Sequence, residues 1–207
     1  MDRDAGSWDR DYQDRGRHWS GAADIPTGLP QGARVLELGC GDGKTFSALA
    51  GRGFEVTGID FSPHAADMCR RFAGRQCDGN VLVADARYLP FRDGSFDAVT
   101  AVHVIGHMRA AHRTAIVRES FRVLAFGGTL RFCEFSLEDF RAGTGLLVEE
   151  QTRERKNGII THYFSEEEVA NLFAGFYRPV LFTRRWEMTV RGKRYPRAEI
   201  SAEFIKR

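Results

Sequence analysis

The chain has 207 residues, of which 43% are hydrophobic and 28% charged, a composition typical of one folded domain with a sizeable core. The net charge of +2 is too small to indicate nucleic-acid binding by itself. No apolar run approaches the roughly 20 residues of a membrane span, and the charged N-terminus lacks the apolar centre of a signal peptide. We therefore expect a cytoplasmic protein with no membrane partner.

Residues 1 to about 24 are polar and carry three spaced aromatic residues, Trp8, Tyr12 and Trp19. The Pro- and Gly-rich stretch IPTGLPQG, residues 25–32, follows them and marks a boundary. We therefore divide the chain into an N-terminal segment, residues 1–30, and a main domain, residues 31–207. Two interpretations of the N-terminal segment stay open: an amphipathic cover for the domain, or a lid over a bound ligand.

Strand-like and helix-like segments alternate through the main domain. The predicted buried strands are ARVLELG, FEVTGID, NVLVAD, FDAVTAVHV and TLRFCEF. The helices between them include SPHAADMCRRFAG, with Ser62 as N-cap and Pro63 in its first turn, and RTAIVRESFRVLA, which we expect to end at FGG. A later helix, SEEEVANLFAGF, starts at a capping box formed by Ser165 and Glu168.

Two late β-rich stretches, RPVLFTRRWEM and AEISAEFIK, have no helix between them and surround the predicted turn RGKRYPR. The complete order of segments predicts an α/β fold. We expect an open, mostly parallel sheet with helices on both faces and a C-terminal antiparallel β-hairpin.

Three glycines follow the first predicted strand, in the stretch RVLELGCGDGK at residues 34–44. Gly39, Gly41 and Gly43 have the spacing G-x-G-x-G, in which the third glycine comes one residue earlier than in a dinucleotide-binding loop. Asp42 also places a carboxylate where a pyrophosphate would approach. The stretch therefore favours a ligand that carries positive charge over a dinucleotide.

Asp60 and Asp85 end the second and third predicted strands. In an open parallel sheet these strand ends meet the glycine loop at one crevice. Asp60 lies 21 residues after Gly39, at the distance where a carboxylate binds ribose hydroxyls, and Asp85 can accept a hydrogen bond from the exocyclic amine of an adenine. The three strand ends together predict a site for a nucleoside without a diphosphate.

Four stretches between about Arg34 and Phe135 resemble the ordered motifs of class I S-adenosylmethionine-dependent methyltransferases: VLELGCGDGKT, GIDFSP, ADARYLPFRDGSFDAVTAVHVIGHM and RESFRVLAFGGTLRF. The type resembled is the broad small-molecule type, which includes quinone- and thiol-methylating enzymes. The resemblance implies a Rossmann-like, seven-stranded sheet. It also implies S-adenosyl-L-methionine as the cofactor and S-adenosyl-L-homocysteine as its product.

The resemblance further implies roles for particular residues. Glu37 would organise the loop and the amino group of the cofactor, while Asp60 would bind the ribose. Phe61 would pack on the adenine, and His103 would lie beside the methionine portion and the substrate. The complete set of cofactor-binding residues that it implies is Glu37, Gly39, Cys40, Gly41, Gly43, Asp60, Phe61, Asp85, Ala86 and His103.

The catalytic residues and the acceptor side are less defined. Candidates for catalysis are His103, His107 and His162, of which His162 could equally be an ordinary loop residue. Candidates for the lid or the acceptor side are Tyr12, Trp19 and Tyr163. The insertion at residues 136–164, which follows the fifth strand, is assigned to the substrate side.

One histidine spacing suggests a metal site, but the other ligands that such a site needs are missing from the sequence. His103 and His107 are four residues apart, a spacing that metal ligands can use. No third ligand stands at a compatible spacing, and no two cysteines form a C-x-x-C pair. We therefore predict no metal, no disulfide framework and reduced thiols.

These observations predict a methyltransferase that acts on a small-molecule acceptor, as a monomer or homodimer. Two alternatives stay open. RNA (tRNA) modification is suggested by the basic stretch TRRWEMTVRGKRYPR, in which Trp186 or Tyr195 could stack on a base, although no N-P-P-Y-like tetrapeptide follows the fourth strand and nucleic acid is not favoured. A non-catalytic, regulatory S-adenosylmethionine-binding protein would keep the cofactor site and have a closed acceptor pocket.

Overall fold

The computed structural model of the chain describes residues 3–16, 23–74 and 81–207. Seven of the described strands form one sheet: β1 (Arg34–Leu38), β2 (Glu55–Asp60), β3 (Val81–Val83), β4 (Phe96–Val102), β5 (Leu124–Phe135), β9 (Tyr177–Val190) and β10 (Lys193–Ile205). Their order across the sheet is β3-β2-β1-β4-β5-β10-β9. Three short strands form a second sheet: β6 (Leu146–Glu149), β7 (Thr152–Glu154) and β8 (Ile160–His162).

The central strand β1 lies between β2 and β4 and is parallel to both. Strands β3 and β5 extend this parallel arrangement on either side, whereas β10 runs antiparallel to β5 and to β9. The predicted α/β class, a Rossmann-like, mostly parallel open sheet with a C-terminal antiparallel hairpin, is confirmed. Because the strand order reverses between β1 and β4, the carboxyl ends of these strands border a crevice where such sheets bind ligands.

Two predicted helix starts have the expected caps. The Ser62 side chain accepts a hydrogen bond from the Ala65 amide at 3.0 Å, and the Ser165 side chain accepts one from the Glu168 amide at 3.1 Å. These caps satisfy amides that have no partner within the first turn of a helix. The described helices are α1 (Arg3–Arg15), α2 (Lys44–Ala50), α3 (Pro63–Ala73), α4 (Ala110–Val123) and α5 (Glu166–Leu172), with a 3-10 turn at Ile105–His107.

The larger hydrophobic cluster is centred on the middle of the sheet and includes stacked aromatic residues beneath α5. The rings of Phe173 and Phe204 lie 4.2 Å apart and nearly parallel, while Phe132 meets Phe173 edge to face at 5.2 Å. Such contacts hold α5 against β5 and β10. In the ranges given above, no helix is both long and apolar enough to cross a membrane.

The helix α1 and the small sheet β6–β8 extend beyond the elements that the sequence predicts. In α1, Trp8 and Tyr12 are four residues apart and therefore share one face of the helix. The small sheet occupies much of the predicted insertion at residues 136–164. Its strands have three or four residues each, too short to show a clear alternation of polar and apolar side chains.

Two predicted boundaries are wrong. Helix α4 ends at Val123, and FGG lies inside β5, in an irregularity between the pairs Phe96–Leu124 and Ala98–Thr129. The predicted turn RGKRYPR is shorter, because only Arg191 and Gly192 lie between β9 and β10. Both residues have positive φ, 48° and 78°, as in the two-residue turns that match the twist of a hairpin.

Candidate active site

A crevice at the carboxyl ends of β1, β2, β3 and β4 has a cavity volume of about 100 Å³ and opens partly to solvent. It lies where open parallel sheets bind their ligands. Gly43 does not line the crevice; a Cβ there would lie 3.1 Å from the Cys69 Cα, so this glycine allows α2 to approach α3. The other nine predicted cofactor-binding residues do line it: Glu37, Gly39, Cys40, Gly41, Asp60, Phe61, Asp85, Ala86 and His103.

The loop after β1 approaches its neighbours too closely to carry side chains at two positions. Gly39 and Gly41 have positive φ, 63° and 52°, which favours glycine. A Cβ on Gly39 would lie 2.5 Å from a methyl group of Val104, and one on Gly41 would lie 2.6 Å from the Tyr12 hydroxyl. The two glycines therefore let the loop contact the segment after β4 on one side and helix α1 on the other.

Glu37 brings a buried carboxyl group to the crevice from the end of β1. Its side chain is 5% exposed, and its Oε2 atom has no hydrogen-bond partner among the described residues. Burial raises the pKa of this carboxyl well above its ordinary value, with further increases from Cys69 and from the negative charges of Asp60 and Asp42. An unpaired buried carboxyl oxygen is costly, so this position suits a ligand that brings a cation or a hydrogen-bond donor.

Asp60 ends β2 and braces the glycine loop. Its Oδ2 accepts a hydrogen bond from the Gly41 amide at 3.0 Å, and its Oδ1 accepts one from the Ser62 amide at 2.9 Å. Burial raises the pKa of Asp60 to about 6, although these backbone hydrogen bonds act in the opposite direction. The carboxylate thus shapes the loop, a structural role that the sequence alone did not indicate.

The predicted adenine end lies beyond β3. Asp85 is held by Arg87, whose Nη2 lies 2.6 Å from Oδ2 and whose backbone amide donates to Oδ1 at 2.9 Å. Burial raises the pKa of Asp85, but the hydrogen bonds and charge of Arg87 outweigh burial and lower it overall. Phe61 and Ala86 also line the crevice, whose wall therefore combines a fixed carboxylate with apolar surface.

His103 lies just past β4 with a positive φ of 55°. Its Nε2 lies 3.2 Å from Oε1 of Glu199, and its ring stacks on Phe135 at 4.3 Å. Burial lowers the pKa of His103, but Glu134 and Glu199 raise it more, so the net shift is upwards. Glu199 also accepts from Arg184 at 2.7 Å, and its pKa is lowered to about 2 despite burial.

Glu134, at the end of β5, organises the turn that follows His103. Its Oε1 accepts hydrogen bonds from the amides of Val104, at 2.7 Å, and Gly106, at 2.9 Å. A Cβ on Gly106 would lie 2.6 Å from Oε2 of the same carboxylate. A buried anion that holds two backbone amides fixes the path of the chain here.

His107 closes the 3-10 turn and lines the crevice. Its Nδ1 lies 2.7 Å from the carbonyl oxygen of Ile160 in β8, which can only accept, so Nδ1 carries the proton. Burial lowers the pKa of His107 to about 4. Its Nε2 is buried and has no hydrogen-bond partner in the part of the chain that the structure describes.

Helix α1 forms another wall of the crevice through Trp8 and Tyr12. The Trp8 ring meets the His107 ring edge to face at 4.7 Å. Asp9 anchors the helix to the start of α3, because its Oδ1 accepts from the Ser62 hydroxyl at 2.6 Å and from the His64 amide at 3.1 Å. The N-terminal segment therefore contacts both the glycine loop and the turn after β4.

Three sequence candidates do not reach the crevice or lie outside the described residues. His162 is buried between Thr152, at 2.8 Å from Nδ1, and Glu168, at 2.8 Å from Nε2, and borders a separate, polar groove. Tyr163 is fully buried, with its ring 6.4 Å from that of Phe135. Trp19, like Cys77, belongs to the residues that the structure does not describe.

One side-chain cluster has ligand types that bind metals. Candidate ligand atoms of His103, Cys133 and Glu199 all lie within 4.8 Å of one another. Arg184 already donates to the Glu199 carboxylate, and burial raises the pKa of the Cys133 thiol, which keeps it protonated. This cluster is internally neutralised, and the sequence-based expectation of no metal stays a prediction.

Sequence reasoning missed Glu134 and Glu199, the two carboxylates beside His103. The available signal was an acidic residue within each of two apolar stretches: Glu134 in TLRFCEF, and Glu199 in AEISAEFIK, which also contains Glu203. Such a carboxylate is rarely buried without a partner. The segment order does not reveal which partner it has, because β5 and β10 pair only in the folded sheet.

Comparison with known proteins agrees with this geometry. Residues 36–132 match a family model described as a methyltransferase domain. A demethylmenaquinone methyltransferase of Tropheryma whipplei is 36% identical over 126 residues, 58% of this chain and 48% of the relative. A tRNA N(3)-methylcytidine methyltransferase of Drosophila melanogaster is 28% identical over 188 residues, 83% of this chain and 58% of the relative.

A solved structure of an S-adenosylmethionine-dependent methyltransferase from Methanosarcina mazei has a TM-score of 0.68 and 26% identity, covering 86% of this chain and 95% of that one. The chain spans about half the length of the demethylmenaquinone methyltransferases it matches. The matched domain contains the glycine loop and the three acidic strand ends that line the crevice. Residues 36–132 therefore form a methyltransferase domain, and the chain has the fold of S-adenosylmethionine-dependent methyltransferases.

Proposed function

We propose that the protein transfers the methyl group of S-adenosylmethionine to a small-molecule acceptor bound in the crevice. The observation that carries this proposal is the buried, unpaired carboxyl oxygen of Glu37 beside the glycine loop. A ligand that brings an ammonium group to this wall would satisfy that oxygen. A dinucleotide would bring a pyrophosphate close to Asp42 instead.

The remaining residues of this side, which we call the cofactor half, fit the other parts of the same ligand. We assign the ribose hydroxyls to Asp60 and the adenine to the wall formed by Phe61, Asp85 and Ala86. S-adenosylmethionine supplies an already activated methyl group. The protein therefore needs chiefly to position the acceptor and to exclude water.

We assign these two tasks to the acceptor half, defined as Trp8, His103, Val104, His107 and Met108. Within the N-terminal segment, residues 1–30, we propose that helix α1 acts as a lid. Its contacts with the loop and with α3 support this role. As a lid, α1 would open to let the cofactor exchange.

For the acceptor we propose a quinol-like small molecule, supported by the similarity to demethylmenaquinone methyltransferases. The absence of zinc-like cysteine pairs in the sequence and the three buried free thiols, Cys40, Cys69 and Cys133, fit a reducing compartment. We therefore propose a cytoplasmic location.

Calorimetry with S-adenosylhomocysteine tests the cofactor assignment. We expect binding in the micromolar range and no measurable heat with NAD. Asp60→Ala should weaken S-adenosylhomocysteine binding by roughly 30- to 150-fold, about 2 to 3 kcal/mol, because it removes a charged hydrogen-bond acceptor. It should also lower stability, since the amides of Gly41 and Ser62 lose their acceptor.

Asp67→Asn on the exposed face of α3 is the matched control, because the ion pairs of Asp67 within the described residues are with Arg70 and Arg71 of the same helix. Tight NAD binding without S-adenosylhomocysteine binding would contradict the assignment. Methyl transfer from labelled S-adenosylmethionine to a quinol panel then distinguishes an enzyme from a non-catalytic binding protein.

A second candidate function, methylation of tRNA, is favoured by the similarity to the Drosophila enzyme over 83% of the chain. The basic hairpin offers less free charge than its sequence suggests. Carboxylates neutralise four of its arginines, through the pairs Arg184–Glu199, Arg185–Glu138, Arg194–Glu187 and Arg197–Asp139.

We therefore expect weak, non-saturating binding of bulk tRNA at about 150 mM salt. Submicromolar binding that falls when Arg191, Lys193 and Arg194 are changed to Glu would overturn the small-molecule proposal. In that case the affinity should fall steeply with salt, with a log–log slope near −0.7 for each phosphate contacted on a single strand.

A further inference from the structure

The 3-10 turn presents a hydrogen-bond acceptor to the acceptor half of the crevice. His107 is 5% exposed, and its proton is fixed on Nδ1 by the Ile160 carbonyl at 2.7 Å. The Nε2 atom therefore carries a lone pair. His107 lines the crevice, and its Nε2 atom is buried without a partner among the described residues.

The surroundings of His107 keep this lone pair available. The turn is fixed from one side by Glu134, which holds the amides of Val104 and Gly106. From the other side the Trp8 ring packs edge to face on the imidazole at 4.7 Å. These contacts fix the orientation of the imidazole and therefore the direction of the Nε2 lone pair. Burial lowers the pKa of His107, so the ring is neutral near pH 7.

Besides His103, whose Nε2 is already paired with Glu199, the acceptor half is apolar, because its other residues are Trp8, Val104 and Met108. A sugar or an amino acid would bring more polar groups to this wall than a single nitrogen can satisfy. A flat aromatic ring with one hydroxyl beside its reacting position would pair that hydroxyl with Nε2 and place only apolar surface against the rest of the wall. The wall thus matches one class of molecule.

We infer that His107 is a specificity-determining residue that accepts a hydrogen bond from the hydroxyl group of an aromatic methyl acceptor. The inference rests on the proposed methyltransferase function and adds the chemistry by which the acceptor is selected. A compound without the hydroxyl leaves a buried nitrogen unpaired, and such a site discriminates strongly against it. His107 here recognises the acceptor and takes up no proton.

A pair of probes tests this inference: 1-naphthol, and its methyl ether, which lacks only the donor. In protein saturated with S-adenosylhomocysteine, we expect 1-naphthol to bind about tenfold more tightly than the ether. His107→Asn keeps an amide nitrogen that can reach the Ile160 carbonyl and removes the acceptor at the Nε2 position, so the tenfold difference should vanish. Its affinity for S-adenosylhomocysteine, unchanged from the wild type, is the control for folding.

Nitrogen-15 NMR of histidine-labelled wild-type protein provides an independent measurement. We expect the His107 Nε2 resonance to be that of an unprotonated nitrogen at pH 7, and to shift with 1-naphthol but not with the ether. Equal affinity for the two probes, no affinity for either, or an Nε2 resonance that does not shift with 1-naphthol would overturn the inference about His107 but not the proposed function. Failure of the wild type to bind S-adenosylhomocysteine would overturn the proposed function as well.

Discussion

Glu37, Asp60 and Asp85 stand at the ends of three adjacent strands, whereas Trp8 and His107 reach the same crevice from a helix and a turn far apart in the chain. Each strand-end residue belongs to a contiguous stretch whose shape follows from the sheet. The acceptor half acquires its shape only when α1, the turn after β4 and β8 come together. One half of the site is therefore specified locally and the other by tertiary contacts.

The two histidines of the acceptor half show that tertiary contacts can shift the pKa values of two nearby residues in opposite directions. His103 and His107 are four residues apart, yet carboxylates raise the pKa of one and burial lowers the pKa of the other to about 4. Neither direction follows from the stretch AVHVIGHM. Glu134 and Glu199, which raise the pKa of His103, lie on later strands, and the burial that lowers the pKa of His107 exists only in the folded protein.

The largest effect should come from removing the anion that supports the acceptor half. Glu134→Ala leaves the amides of Val104 and Gly106 without their acceptor, and we expect a loss of roughly 2 to 5 kcal/mol in the free energy of unfolding. Glu134→Gln keeps a carbonyl oxygen and should lose less. Urea denaturation measures both variants; a Glu134→Ala variant as stable as the wild type would show that the turn is held by other contacts.

A second effect concerns pH. The unfolded chain binds a proton on His107 near pH 6.5, whereas the folded chain binds it near pH 4. Between these values the unfolded state binds more protons, so stability falls as pH falls, by roughly 3 kcal/mol at pH 4. Burial is the main cause; Glu134 acts against it, while Arg155 and His103 add to it.

Urea denaturation from pH 4 to 7 should show that His107→Gln lacks this slope. His103 should contribute the opposite slope, because its raised pKa gives stability that is present below about pH 6.5 and is lost as pH rises through the folded value. A wild type and a His107→Gln variant with identical pH dependence would contradict the assignment of a buried neutral imidazole.

The cofactor half should respond differently to mutation. Glu37→Gln removes a charge that has no partner at Oε2 in the described structure, so the protein without ligand should be as stable as the wild type or more stable. Its affinity for S-adenosylhomocysteine should fall by roughly 10- to 150-fold, about 1.5 to 3 kcal/mol. Thermal unfolding and calorimetry measure the two quantities; reduced stability together with unchanged affinity would refute a role in binding.

The smallest effect is expected at the contact between the two halves. Asp9→Ala removes the acceptor for the Ser62 hydroxyl and the His64 amide, and should loosen α1 by about 1 kcal/mol. Release of S-adenosylhomocysteine, followed by stopped-flow fluorescence, should become about fivefold faster. Asp14→Ala on the exposed side of α1 is the control and should leave the rate unchanged.

The sequence predicted the parallel sheet, the hairpin and the strand-end residues because hydrophobic runs and glycines act locally. It did not predict that Asp60 braces the loop, since Gly41 is 19 residues away in the chain and meets Asp60 only in the folded protein. Helix α1 was missed because its polar composition hides the single buried face on which Trp8 and Tyr12 lie. Strands β6–β8 are too short for their periodicity to be recognised.

Helix α1 lies outside residues 36–132 and adds no strand to either sheet, yet it supplies two residues of the crevice wall. Substitutions on its inner face can reshape the cavity without disturbing the hydrogen bonds of the sheet or the acidic strand ends. Under the proposed function, selection for a new acceptor can therefore act on this helix while the glycine loop and the acidic strand ends stay constant. In evolutionary terms, the wall contributed by α1 can diverge without change to the strand ends of the crevice.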